Sequence, residues 1–373
     1  MILLTYLRPF LFLSLITIGL VSCEGSGSSK ESSLPLARGA AGEIILVMDS
    51  TSWRGELGDE LRQIFMEDVP GLPQPEPYYD LRYVNPFKLN DVLRSAKNMI
   101  FVTTLDNRSA SGERMRRFFT ENSLDRIKSD STFFSYPISN VFARGQKNLY
   151  LFGVSEDILL ENLRVNHKQV RQHFSETERN RSLEALYKSG EQRALERELL
   201  EDHSFYLRIP QDYDLVPLED SVKQFVWLRQ LGQAGEPDIS IIVTYQEYTS
   251  EGVFQPEGIM QVREETLGKY IVDNNPPAFM TVQELEPVVY DTINFNGKFA
   301  IEGRGLWKLS NFTMGGPFLS YAFVDESLNR FYYIEGYVYY PGKNKRTEIR
   351  EVETILRTFQ TEAEYQNKQT ASK

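Results

Sequence analysis

Arg304 and Trp307 stand three residues apart in Glu302-Gly303-Arg304-Gly305-Leu306-Trp307, just ahead of Met314-Gly315-Gly316-Pro317-Phe318. These residue types could hold an anionic ligand. A guanidinium grips carboxylate or phosphate through a planar fork, and glycines let a ligand approach the backbone beside an indole. Glycines also make bulges and tight corners in curved sheets, so the same stretches read structurally as two strands with a Gly-Gly-Pro corner. In a regular strand Glu302 and Arg304 face one way and Trp307 the other. A site shared by Arg304 and Trp307 therefore needs a bulge. A structural role predicts Trp307 buried and Arg304 paired with an acid. Downstream, the aromatic run Phe331–Tyr340 alternates. Tyr332, Ile334, Val338 and Tyr340 share one face, and Phe331, Tyr333, Tyr337 and Tyr339 share the other. One face must meet helices; the other suits a stacking platform for a sugar or peptide, or packing on a second domain. The candidate ligand-binding residues are Arg304, Trp307, Tyr337 and Tyr339.

Little other chemistry is encoded. His167 and His173 fall on opposite sides of a helix, and His203 lies far from both, so no metal pair forms. Nucleotide-loop, zinc-protease and nucleophile-elbow motifs are absent, and neither cofactor nor metal is expected. Paired carboxylates suffice for glycoside hydrolysis, but 52 acidic residues make any chosen pair arbitrary. A net charge of −11 argues against a nucleic-acid partner.

The single cysteine, Cys23, ends the run Leu20-Val21-Ser22-Cys23, behind Arg8 and an apolar stretch from Phe10. A short basic region, an apolar core and small residues before a cut describe a secretory signal over residues 1–22. The cysteine at that cut resembles a bacterial lipobox, in which the thiol is acylated and becomes the first mature residue. The apolar run is too short to cross a bilayer comfortably. A lipid on Cys23 would make the membrane a partner, and Gly/Ser-rich residues 23–42 would be a flexible tether spanning about 25 Å.

The elements that must position the candidate residues divide in two. Residues 43–201 read as an α/β domain: strands at Ile44–Met48, Leu81–Val84 and Met99–Thr104 alternate with helices, a hairpin turns near Gly145, and a long charged helix closes the unit. Residues 202–360 read as an antiparallel sheet with helices on one face. The Asn296-Gly297 hairpin turn and a final amphipathic helix through Ile349, Val352 and Ile355 belong to it. Residues 361–373 lack apolar periodicity and are expected to be disordered. The fold class is α+β.

Ile209-Pro210 with Tyr213, Phe225-Val226-Trp227-Leu228-Arg229, Arg304-Gly305-Leu306-Trp307-Lys308 and Met314-Gly315-Gly316-Pro317-Phe318 resemble a family of Bacteroidota lipoproteins, domain of unknown function 4837. The resemblance implies a Bacteroidota cell envelope and brings no activity. The strand order is similar to the PsbP and Mog1 sandwich, an analogy of fold alone. The expected function is non-catalytic binding of a ligand or partner, an envelope protein or glycan, by a lipid-anchored protein on the periplasmic side of the outer membrane, with surface exposure as the alternative. A carboxylate-dependent envelope hydrolase and an outer-membrane assembly factor are the competing classes. Asp220-Ser221-Val222 and Asp291-Thr292-Ile293 resemble O-glycosylation acceptors of the same bacteria.

Overall fold

Two large sheets, each with its own helices, and a small two-stranded one make up the described residues. The computed structural model describes residues 33–219, 223–274 and 276–371. The signal, Cys23 and the Asp220-Ser221-Val222 acceptor lie outside the described residues.

The first sheet comprises β1 (Glu43–Val47), β2 (Asp80–Val84), β3 (Asn98–Thr104), β4 (Ser135–Ser139) and β5 (Lys147–Gly153), in the order β2-β1-β3-β5-β4. All pairs are parallel except β4 with β5. Its central strands are continuous apolar runs because helices cover both faces. Ile44 and Leu46 pack with α1 (Glu56–Met66) and α2 (Glu156–Leu186) through Leu61, Phe65, Leu163 and Phe174. Ile45 and Val47 pack on the other side with Met115 and Ile127, from two short helices. Each such side chain contributes roughly 1.5–3 kcal/mol on burial. Inside α2, Asn166 leaves helical geometry, and its amide donates to the Asn162 carbonyl at 2.8 Å. A side chain inserted into the helical ladder in this way bends the helix.

Next comes α3 (Arg193–His203), then β6 (Phe205–Tyr206), β7 (Asp214–Leu215), β8 (Phe225–Gln230) and β9 (Asp238–Glu247). After α4 (Pro256–Tyr270) follow β10 (Val272–Asn274), β11 (Pro277–Val282), β12 (Val289–Phe295), β13 (Lys298–Leu309), β14 (Gly315–Asp325) and β15 (Arg330–Tyr339). The described residues close with α5 (Arg346–Leu356), β16 (Gln360–Thr361), which pairs with β6, and α6 (Glu362–Ala371). The second sheet runs β10-β11-β13-β14-β15-β9-β8-β7, with β12 also on β13. Asn296 and Gly297, both at positive φ, turn β12 into β13. Tyr332, Ile334 and Val338 pack with α5, whereas Phe331, Tyr333 and Tyr337 face the side where Ile259, Val262 and Leu267 of α4 pack.

The architecture is α+β, and four expectations need correction. Helices cover both faces of the second sheet, because α4 buries its own apolar side. The structural division falls between Leu186 and Arg193, not at 201/202: Leu199 of α3 joins the second core, and Glu196 accepts from the Ile209 amide at 2.8 Å. Tether residues 35–38 are docked, since the Arg38 amide donates to the Ser95 carbonyl and the Arg144 amide to the Pro35 carbonyl, each at 2.8 Å. The tail is helical through Ala371. Thr361 and Glu364 cap it reciprocally, and Tyr365 lies on Tyr206 with centroids 4.5 Å apart.

The two halves touch through a carboxylate. Glu76, in the proline-rich loop after α1, is 3% exposed and accepts from the Lys345 amide at 2.7 Å and the Arg346 amide at 3.0 Å. It supplies from the first half the acceptor that the N-terminus of α5 lacks locally.

Candidate functional site

The four candidate residues separate at β13, which is regular through Arg304 and Trp307: Arg304 pairs Leu319 and Trp307 pairs Gly316. Arg304 therefore points towards α5. Its Nε lies 2.6 Å from Glu302 Oε1, and its Nη2 lies 3.5 Å from Glu353 Oε2. Burial alone would lower its pKa, but Glu302 and Glu353 more than offset that and raise it. Burial likewise pushes the Glu353 carboxyl up, yet Arg304, Arg357, Arg179 and Arg350 together hold it below the usual range. This is the acid-paired arrangement of a structural arginine, and it removes Arg304 from the aromatic group.

Trp307, Tyr337 and Tyr339 do come together on the opposite face. The Trp307 ring centroid lies 5.0 Å from that of Tyr337 and 6.5 Å from that of Tyr339. The glycines explain how the indole crosses β14. Pairing of β14 with β15 ends at Phe318 opposite Tyr337. Beyond that pair Trp307 Nε1 donates to the Val338 carbonyl at 3.2 Å. A Cβ on Gly316 would sit 2.0 Å from that same carbonyl oxygen. Only glycine leaves the indole and the two backbones room to meet. Trp307 is 3% exposed, as its structural role requires.

Trp227 on β8 completes the group. Trp227, Trp307, Tyr337 and Tyr339 line a groove of about 470 Å³, with Ile271 and Met314 in its wall. Trp307 and Tyr337 are buried in the floor, whereas Trp227 and Tyr339 are partly exposed. Polar atoms stand at one edge. Arg229 Nη2 lies 3.3 Å from Asp238 Oδ2, and the Trp227 indole donates to Ser240 Oγ at 3.1 Å. Burial outweighs a Ser240 hydrogen bond that works against it and pushes the Tyr337 hydroxyl up, so it stays protonated and able to donate. Aromatic faces beside a few fixed polar groups are the usual make-up of a small-ligand site. Trp227 and Arg229 escaped the sequence-based set because period-2 alternation gives a face but not which distant strand lies beside it.

Among the described residues no cluster of three His, Cys, Asp or Glu side chains could hold a metal ion. His203 Nδ1 lies 2.9 Å from the Tyr245 hydroxyl, and His173 stacks edgewise on Phe174. Thr292, in the second glycosylation-like segment, is exposed on β12.

Residues 192–358 match the family described as Domain of unknown function (DUF4837), and residues 37–187 match the one described as Domain of unknown function (DUF8532). The two segments meet where the packing divides the chain. No curated protein matches. Among solved structures, the Saccharomyces cerevisiae Ran-binding protein Mog1p is 11% identical with a TM-score of 0.29, over 43% of this chain and 90% of that one. A variant of protein Mog1 is 11% identical with a TM-score of 0.28, over 42% and 90%.

Proposed function

We propose that this chain is a lipid-anchored envelope protein that binds a saccharide in the groove between Trp227 and Tyr339 without turning it over. The observation that carries this reading is the groove itself. Two partly exposed aromatic faces stand over an aromatic floor, with an arginine–aspartate pair and a serine at the edge. The apolar face of a sugar ring stacks on such rings, while its hydroxyls reach polar groups fixed beside them. Asp238 is held by Arg229, which suits a carboxylate that orients hydroxyls. The Cys23 motif supports the anchor, and two or three acyl chains there would hold the protein stably. The resemblance to Bacteroidota lipoproteins supports that envelope, and we place the protein on the periplasmic side of the outer membrane.

The test is titration of the full mature chain with oligosaccharides released from the envelope. Trp227→Ala and Tyr339→Ala should each weaken binding at least about tenfold, equivalent to about 1.4 kcal/mol, with the folded state retained because both rings are partly exposed. Binding unchanged in both variants would refute the groove. For the anchor, Cys23→Ala should abolish incorporation of a palmitate analogue; label retained in that variant would refute the lipid.

A further inference from the structure

Away from the groove, a smaller cavity of about 170 Å³ lies between the two halves, walled by α2 on one side and α5 on the other. Four guanidinium groups line it, from Arg179, Arg304, Arg346 and Arg350, against two carboxylates, Glu178 and Glu353. Both carboxylates are already engaged. Glu178 accepts from the Gly42 amide at 3.0 Å and from Asn98 Nδ2 at 2.9 Å, and pairs with Arg181. Glu353 is shared among Arg357 at 3.4 Å, Arg304 at 3.5 Å and Arg179 at 3.9 Å. Arg346 has Asp80 at 2.6 Å.

Arg350 has no carboxylate within 4.0 Å among the described residues. Its guanidinium donates to the Tyr78 carbonyl and lies 5.2 Å from the centre of the Tyr79 ring. Burial, ahead of the effects of its neighbours, lowers its pKa. Glu178 and Glu353 reach this guanidinium only at longer range, and a guanidinium removed from water without a carboxylate in contact is costly, so an anion at the same place would offset that cost. The excess of positive charge is notable because the chain as a whole carries −11.

We propose that this cavity binds a small oxyanion of the phosphate or sulfate class against Arg350, and that the bound anion fastens the two halves together. The walls supply what such a ligand needs, guanidinium forks for its oxygens, while the Thr354 hydroxyl is spent on the Arg350 carbonyl at 2.7 Å and the Ser175 hydroxyl on the Arg171 carbonyl at 3.3 Å. The volume takes a tetrahedral anion with water, and falls short of the space that drug-sized ligands occupy. The anion would touch Arg179 of α2 and Arg350 of α5 at once, so its binding energy adds directly to the stability of the assembled chain.

The experiment is calorimetric titration of the full mature chain with inorganic phosphate and, separately, glycerol phosphate, alongside thermal melts in phosphate or chloride at matched ionic strength. Saturable heat and a melting temperature about 3 °C or more higher in phosphate are expected. Arg350→Gln should abolish both, and Arg193→Gln, at an exposed arginine of α3 outside both sites, should leave both intact. Heat from either ligand that depends on Arg350 supports the site, and the tighter one identifies whether the phosphate is free or esterified. No saturable heat from either ligand in the unmutated chain overturns the proposal, whatever the folding of the variants. A phosphate effect that survives Arg350→Gln also overturns it, because general exclusion of phosphate from the protein surface stabilises the compact state without that residue.

Discussion

Glu335→Gln is expected to lower the stability of the chain by about 3–5 kcal/mol, because it removes the buried carboxylate that Arg263 meets with two nitrogens and leaves the guanidinium only the partly exposed Glu264, at 3.0 Å, as countercharge. Arg263 on α4 is 1% exposed, Glu335 on β15 is fully buried, and Arg263 Nε and Nη2 donate to the two carboxylate oxygens at 2.8 and 2.9 Å. The Tyr333 hydroxyl donates to the same carboxylate. Burial pushes the Glu335 carboxyl up, while Arg263 and Tyr333 pull against it. The pair is costly to form as well as to break. Replacing the whole set, Arg263→Met with Tyr333→Phe and Glu335→Leu, should therefore restore stability to within about 1–2 kcal/mol of the parent. Denaturant melts of the two variants decide the matter. A loss below about 1 kcal/mol in Glu335→Gln would mean that water reaches the pair.

Trp307→Ala should cost about 3–5 kcal/mol, the range for removing a large aromatic side chain from a core. It empties the space beside Tyr337 and leaves the Val338 carbonyl without its donor. Trp307→Phe keeps one six-membered ring and loses the rest of the indole with its hydrogen bond, so its cost should fall to about 1–3 kcal/mol. Chemical denaturation of both separates packing from hydrogen bonding. Equal losses in the two variants would assign the whole effect to the part of the indole that phenylalanine lacks, its pyrrole ring with the N–H. Gly316→Ala should fail for the complementary reason, since its methyl would collide with the backbone that Trp307 reaches.

The strands of both sheets were legible where local pattern and burial agree. Ile44–Val47 is a continuous apolar run because it is buried on both faces, and Phe331–Tyr340 alternates because its two faces meet different helices. The opposed directions of Arg304 and Trp307 also followed from alternation alone. What did not follow was the identity of the neighbours. Trp227 joins the groove because β8 and β15 both flank β9, a pairing set by long-range topology. Docking of residues 35–38 rests on backbone hydrogen bonds to distant carbonyls, which leave no trace in side-chain pattern. The terminal helix did leave one: Thr361-Glu362-Ala363-Glu364 is a capping box, overlooked because the segment has no apolar stripe. The hairpin β10–β11 was hidden because its first strand, Val272–Asn274, is too short to show alternation.

The most direct measurement of saccharide binding uses the three tryptophans as reporters. Trp227 and Trp307 line the groove, while Trp53 stacks on Tyr83 in the first half, with ring centroids 5.1 Å apart. In a nitrogen-15 correlation spectrum of the full mature chain, each indole N–H gives its own resonance. Titration with envelope oligosaccharides should shift the Trp227 and Trp307 indole signals together, saturably, and leave Trp53 in place. Saturable binding that moves Trp53 alone, or moves none of the three, would contradict the account.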